Sequence, residues 1–226
     1  MAEILITLGI IGVVAAMTMP PLIANYQKNV LHTQFKKSYS ELSQAVMLLK
    51  AKEDINIFEY AKDNDSQAAL DMLMTQIKGA SVLEGSKSIT NFFRLVYEPR
   101  ALNKKTILGY YCDATNVYRA PNGAFYLMDD APSNKSLADP KLCIDTNGSK
   151  RPNSLGHDIF VFAFTSEGNL VPFTYKWTVA QTIEKLDNLS SQCSYTSSLA
   201  YSCSYYALSD ISPEDSSKSY WKDFLR

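Results

Sequence analysis

The chain has 226 residues, 46% of them hydrophobic and 20% charged, enough for one core of ordinary size with or without an appendage. Its 22 Lys and Arg balance 23 Asp and Glu to a formal net charge of −1, so no overall electrostatic pull toward nucleic acid or anionic lipid exists. Nucleic acid is therefore not an expected partner.

The first element is an unbroken apolar run from Ile4 to Met19, preceded by Glu3 and closed by Pro20 and Pro21. As a helix rising ~1.5 Å per residue the run covers about 24 Å, short of the ~30 Å hydrocarbon core of a bilayer. Leu22, Ile23 and Ala24 extend it to a marginal span. A cleaved signal peptide is disfavoured, because an acid precedes the run and Met-Pro-Pro follows it where a basic leader and small residues belong. A carboxylate costs roughly 2.5–3.5 kcal/mol in a helix centre on insertion scales, so Glu3 needs a neutralising partner.

From Ile23 the pattern changes. Ile23, Tyr26, Val30, Phe35, Tyr39, Leu42, Val46 and Leu49 mostly recur at three- and four-residue steps, with Gln27, Lys28, Lys36, Lys37, Glu41 and Gln44 between them. The helix thus turns amphipathic. After about Leu31 its stripe is expected to pack on a globular core, while the first half projects into lipid or into other copies of the chain. The division expected is 1–24 as hydrophobic helix and 25–226 as amphipathic helix plus extracytoplasmic head.

Further along, helical spacing predicts helices over Ser66–Lys78 and from Thr178 through Val179, Ile183, Leu186 and Leu189. Short strands are predicted at Thr106–Cys112, Ala124–Met128, Leu142–Asp145, Asp158–Phe164 and Leu170–Thr174, separated by turn residues such as "PNG", "TNG" and "SEGN". "APSNKSLADP" reads as an exposed loop. The fold class expected is α+β, a long N-terminal helix on a small antiparallel sheet with additional short helices.

The four cysteines lack CxxC spacing, which favours two disulfides and an oxidising compartment over a zinc site. Of the three connectivities, local pairing of Cys112 with Cys143 and Cys193 with Cys203 is expected, since each pair brackets a loop-rich segment. Lys28, Lys36 and Lys37, by the positive-inside rule alone, would instead hold the bulk of the chain in the cytoplasm.

"AEILITLGIIGVVAAMTMPPLI" resembles the N-terminal cleavage and methylation motif of type IV pilins and type II secretion pseudopilins. Glu3 matches the motif glutamate and Pro20 the motif proline. In that family two residues, usually beginning with an N-methylated phenylalanine, precede the equivalent of Met1, and a short basic leader ending in glycine precedes those. Such a leader would remove the topological conflict. The resemblance implies a pilin-like fold and a structural filament subunit, first in the bacterial inner membrane and then in an extracytoplasmic filament at the cell surface or in the periplasm. It implies three kinds of partner: further copies of the chain, a prepilin peptidase and an inner-membrane assembly platform. It also gives Glu3 its partner, the amino terminus of a neighbouring subunit. Gly9 and Gly12 would let helices approach closely, and Pro20 would weaken the helix locally.

"CIDTNGSKRPNSLGHDIFVFAFTSEGNLVPF" resembles a segment of many bacterial pilin-like proteins, some of which bind calcium in this part of the fold. Asp145, Asn147, Asn153 and Asp158 carry oxygens suited to calcium, which takes six to eight of them. Gly156, however, stands where an EF-hand has its bidentate glutamate, and Asn-Gly is itself a favoured hairpin turn. Both readings stay open, a structural turn and a calcium site, and no other cofactor is expected.

Catalytic constellations are lacking. There is no G-x-S-x-G or H-E-x-x-H, and His32 and His157 are far apart, so enzymatic activity is not expected. Tyr195, Tyr201, Tyr205 and Tyr206, set among serines around Cys193 and Cys203, offer a possible partner-contact surface or, alternatively, a loop packed on the sheet. Two functional expectations follow: a filament subunit, or a membrane-anchored extracytoplasmic binding or adhesion domain.

Overall fold

A computed structural model describes residues 2–83, 97–108, 112, 115–129, 141–173, 175–177, 183–185, 189–196 and 200–226. The predicted loop at 131–140 lies outside them.

Helix α1, Ala2–Lys52, runs without a break through Pro20 and Pro21 and across residue 24. Its two halves meet different surroundings. Ile10 is 60% exposed and Met17 75%, whereas Phe35 is 1% exposed. From Phe35 onward, Ser38, Leu42, Ala45, Val46 and Leu49 are buried at steps of three and four, as an amphipathic stripe must be. Leu31 and Tyr39 are partly buried against the same core, while Ile23 and Tyr26 remain exposed. The apolar stripe therefore begins to pay off as packing only after the second half of the helix is under way.

Two short helices follow. In α2, Ile57–Asp63, the Asn56 side chain caps the first turn by accepting from Phe58 N. In α3, Ser66–Met74, Asp65 does the same for Ala68 N. The predicted second helix thus ends at Met74, four residues early: Gln76 N and Ile77 N bond three residues back, tightening the chain toward Gly79 at φ +85°.

The head is a six-stranded antiparallel meander in sequence order: β1 (Ser81–Val82), β2 (Tyr118–Arg119), β3 (Phe125–Met128), β4 (Lys141–Asp145), β5 (Ile159–Phe164) and β6 (Leu170–Pro172). Register places Tyr126, Ile144 and Phe160 in one row and Met128, Leu142 and Phe162 in the next. These rows face α1. Phe35 meets Phe160 at 4.4 Å between ring centroids, Tyr39 meets Phe162 at 5.3 Å, and Tyr126 Oη reaches Ser38 O. All six residues of β5 are buried, so the opposite face is covered too, and the strand reads as continuous apolar "IFVFAF". A helix α4 (Cys203–Ser209) and a π-helical turn at Tyr220–Phe224 complete the cover, with Trp221 set against both Phe35 and Phe160.

Two expectations are corrected. The helix predicted from Thr178 is replaced at Ile183–Lys185 by strand β8, paired antiparallel with β7, Tyr175–Trp177. Tyr175, Trp177 and Ile183 are strand formers and Lys176 stands opposite Glu184 in the register, and a ladder outweighs a helical spacing only four residues deep; Val179 and Leu186 lie outside the described residues. Of the strand predicted at Thr106–Cys112, residues 109–111 lie outside the described residues, and the described part forms one bridge, Ile107 with Arg100, just after a turn in which the Asn103 side chain accepts from Lys105 N and Thr106 N.

Truncating Phe35 to Ala removes the ring shared by Phe160 and Trp221, and is expected to cost the head about 3–5 kcal/mol in denaturant unfolding. Ile10→Ala, on the exposed half, leaves that unfolding midpoint unchanged within error.

Candidate functional site

The first candidate is the exposed half of α1. Between Ile4 and Ala24 the only polar side chains are Thr7 and Thr18, and both bond within the helix, to Ile4 O and Val14 O at 2.9 Å each. The surface offered outward is consequently apolar all round, with its hydroxyls already satisfied. A Cβ built at Gly9 or Gly12 meets nothing within 4 Å, and the pair lie three residues apart on one face, so they form a shallow strip along the rod. Pro20 and Pro21 deprive the carbonyls of Ala16 and Met17 of their usual donors without ending the helix. Glu3 lies in the first turn of α1. Among the described residues α1 is the one helix long and apolar enough to cross a membrane.

The second candidate is the Asp145–Asp158 turn. Both acids are completely buried. Asp145 ends β4, on the sheet face turned away from α1, and accepts from Tyr97 Oη and from Asn147 N at 3.0 Å. Asp158, just before β5, accepts from Asn153 N (2.9 Å), Ser154 N (2.6 Å) and Asn147 Nδ2 (3.2 Å). The four residues singled out in the sequence are thus brought together, and Tyr97 joins them. Nothing local marked Tyr97, which stands 48 residues from Asp145 in the chain.

Gly156 has a packing reason rather than a ligand one. Its φ is +75°, and a Cβ there would lie 2.7 Å from Cys203 Sγ. Its carbonyl accepts from Tyr220 Oη. The "G-H-D" step is therefore held against the Cys193–Cys203 bridge.

Does the turn suit calcium? The donor types are right, and the side-chain oxygens Asn147 Oδ1 and Asn153 Oδ1 are buried without a hydrogen-bond partner. Against this, every carboxylate oxygen of the pair already accepts a hydrogen bond, and no cluster of three His, Cys, Asp or Glu exists among the described residues. As it stands the geometry is that of a hydrogen-bonded turn with two spare amide oxygens.

The disulfides join Cys112 to Cys143, with Cα atoms 6.1 Å apart, and Cys193 to Cys203, at 4.9 Å. Of the four tyrosines near the second bridge, Tyr195, Tyr201 and Tyr206 pack partly buried against the core and only Tyr205, 42% exposed, faces outward. Tyr195 is occupied by Phe224 and by the Arg226 guanidinium, 4.8 Å above its ring.

Compared with known protein families, with curated proteins and with solved structures, the chain gives no match in any of the three.

Burial raises the pKa of both acids, Asp158 to about 6, and the charge of Asp158 raises Asp145 further. The folded state therefore keeps protons that the unfolded chain has released above the ordinary value of 3.8, so the contribution of Asp158 to stability falls as pH rises from there through about 6, and that of Asp145 falls in the same direction. Asp145→Asn keeps both contacts, its Oδ1 accepting from Asn147 N and its NH2 reversing the other bond by donating to Tyr97 Oη, and it removes one of the two titrating acids. Its melting temperature is expected to stay within a few degrees of wild type at pH 7 and to decline less between pH 4 and pH 7. Asp158→Asn turns an NH2 toward backbone donors and is expected to cost about 1–3 kcal/mol. Calorimetric melts across that pH range check both.

Proposed function

We propose that the protein is a structural subunit of a type IV pilus or type II secretion-like filament, assembled through the exposed half of α1. The observation that carries this reading is a rod of apolar side chains, continuous with the helix that anchors the head core and bare of any unsatisfied side-chain polar group between Ile4 and Ala24. Such a surface needs a covering, and in the proposal lipid covers it before assembly and further copies of the same helix cover it afterwards. Identical contacts then repeat in an open, heterologous array. The prepilin peptidase and the inner-membrane platform enter as the partners that the motif at Glu3 and Pro20 implies. Two disulfides in the head fit the oxidising extracytoplasmic compartment that this route requires.

Within that reading Glu3 neutralises the amino terminus of the neighbouring subunit. Glu3→Ala is expected to leave the head folded and membrane insertion intact while stranding a buried ammonium, a loss of about 3–5 kcal/mol for each subunit added. Fractionation of sheared surface filaments from membranes in the native host measures this. Normal membrane levels without filaments support the proposal, and wild-type filament yield from the variant removes it.

The two unpartnered amide oxygens at Asn147 and Asn153 favour a second reading of the turn, that it takes calcium. Asp145, Asp158, Asn147 and Asn153 would hold the ion, whose charge would offset the repulsion between the two buried acids. If so, millimolar calcium raises the melting temperature of wild type and not of Asp158→Asn. Equal melting of wild type with calcium and with chelator leaves the turn purely structural.

A further inference from the structure

A crevice of about 580 Å³ opens where α1 meets the head, and its charge is one-sided. Lys28, Lys104, Lys150, Arg151 and Arg226 line it, and no Asp or Glu does. Two of these cations are paired with acids outside the lining, Arg151 with Glu98 at 3.1 Å and Arg226 with Glu214 at 3.7 Å, and Asp158 lies behind it, bonded to Asn147. The chain's net charge of −1 thus conceals a local concentration of cations. Lys104 is held below its ordinary pKa by burial, against the opposing charge of Asp158, with Lys28 adding a smaller push downward. His157, lowered to about 4 chiefly by burial, is pushed down further by Lys104 and Lys28.

Two of the cations are preset. Lys28 Nζ donates to Lys222 O at 3.1 Å and Lys104 Nζ to Arg226 O at 2.7 Å, which leaves each ammonium two further donors. Aliphatic groups line it as well, Ala24, Val30 and Leu31 of α1, the helix that also brings Lys28. A pocket lined by both cations and aliphatic groups suits an amphiphile with an anionic head.

The position along the helix selects which amphiphile. From Ile4 to Ile23 is 20 residues, which at ~1.5 Å each covers about 30 Å, the thickness of a bilayer's hydrocarbon core. The crevice begins at Ala24, so with α1 inserted it lies at the level of the phosphates. We propose that this crevice binds the headgroup phosphate of an anionic phospholipid while the subunit is in the membrane. Lys28 and Lys104 fix the phosphate, Lys150 and Arg151 supply the outer charges, and the first acyl methylenes lie along Ala24, on the bilayer side of Lys28. This rests on the reading of α1 as a membrane helix.

The test uses the full chain, reconstituted into nanodiscs of phosphatidylcholine alone or of phosphatidylcholine with phosphatidylglycerol, with retained lipid identified by native mass spectrometry. Wild type is expected to retain phosphatidylglycerol in preference to phosphatidylcholine. Lys150→Gln with Arg151→Gln is expected to insert equally and melt alike, yet to lose that preference roughly tenfold or more, since each basic residue near an anionic surface counts severalfold in affinity. Equal retention of the two lipids, or an unchanged preference in the double variant, overturns the proposal. So does retention of soluble glycerol phosphate with the same affinity, which would mark a site for a free anion. Appearance of the charge dependence only between cross-linked subunits would assign the crevice to a neighbour's carboxylates instead. Failure to insert into either bilayer removes the membrane reading itself, whereas insertion without anionic preference removes this proposal alone.

Discussion

Phe35 packs against Phe160 and Trp221, with ring centroids 4.4 and 5.4 Å away, and this contact decides where α1 stops being a free rod and becomes part of a core. It ties together three distant pieces of chain: the middle of α1, strand β5 and the π-helical turn at Tyr220–Phe224. His32 stacks on the same Trp221 one turn earlier, at 4.9 Å. Beyond that point toward the amino terminus no large apolar side chain of α1 is buried among the described residues. A helix held so firmly at one end can carry an uncovered apolar segment at the other without dragging the head apart, because the two halves draw on different surroundings for their stability.

The remainder of the head is organised around β5 and the turn that precedes it. Asp158 gathers two backbone N–H groups and one amide, Asp145 holds Tyr97, and Gly156 lets the backbone come against Cys203 where any side chain would collide. Buried acids of this kind are costly unless their oxygens are all used. Here the carboxylates are fully used and the spare acceptors are amide oxygens. The turn also carries Lys150 and Arg151 to the crevice beside α1, so the same short segment that closes the sheet places charge at the neck of the molecule.

Much of this was legible in the sequence. The apolar run, its amphipathic continuation, strands β3 to β6 to within a residue or two and the local cysteine pairing all follow from short-range pattern. What was not legible depends on distance or on competition. Tyr97 and Trp221 act on residues far away in the chain, so no spacing announces them. Ile183 has helical neighbours by count and a strand partner in Trp177 by register, and the partner wins. The cationic crevice draws on five residues scattered from Lys28 to Arg226, and the balanced net charge hid it. The tyrosines around Cys193 fit either a contact surface or a packed loop by composition, and Tyr195, Tyr201 and Tyr206 lie partly buried against the core.

The central claim is that the exposed half of α1 is covered by further copies of itself. Helical reconstruction by electron cryomicroscopy of filaments containing this chain, sheared from the native host, tests it most directly. The account predicts a core built of residues 2–26 from successive subunits, with Glu3 of one beside the amino terminus of the next and the heads outside. A filament held together by contacts between heads, with the first half of α1 peripheral, or a chain found only as isolated subunits in the membrane, would contradict it.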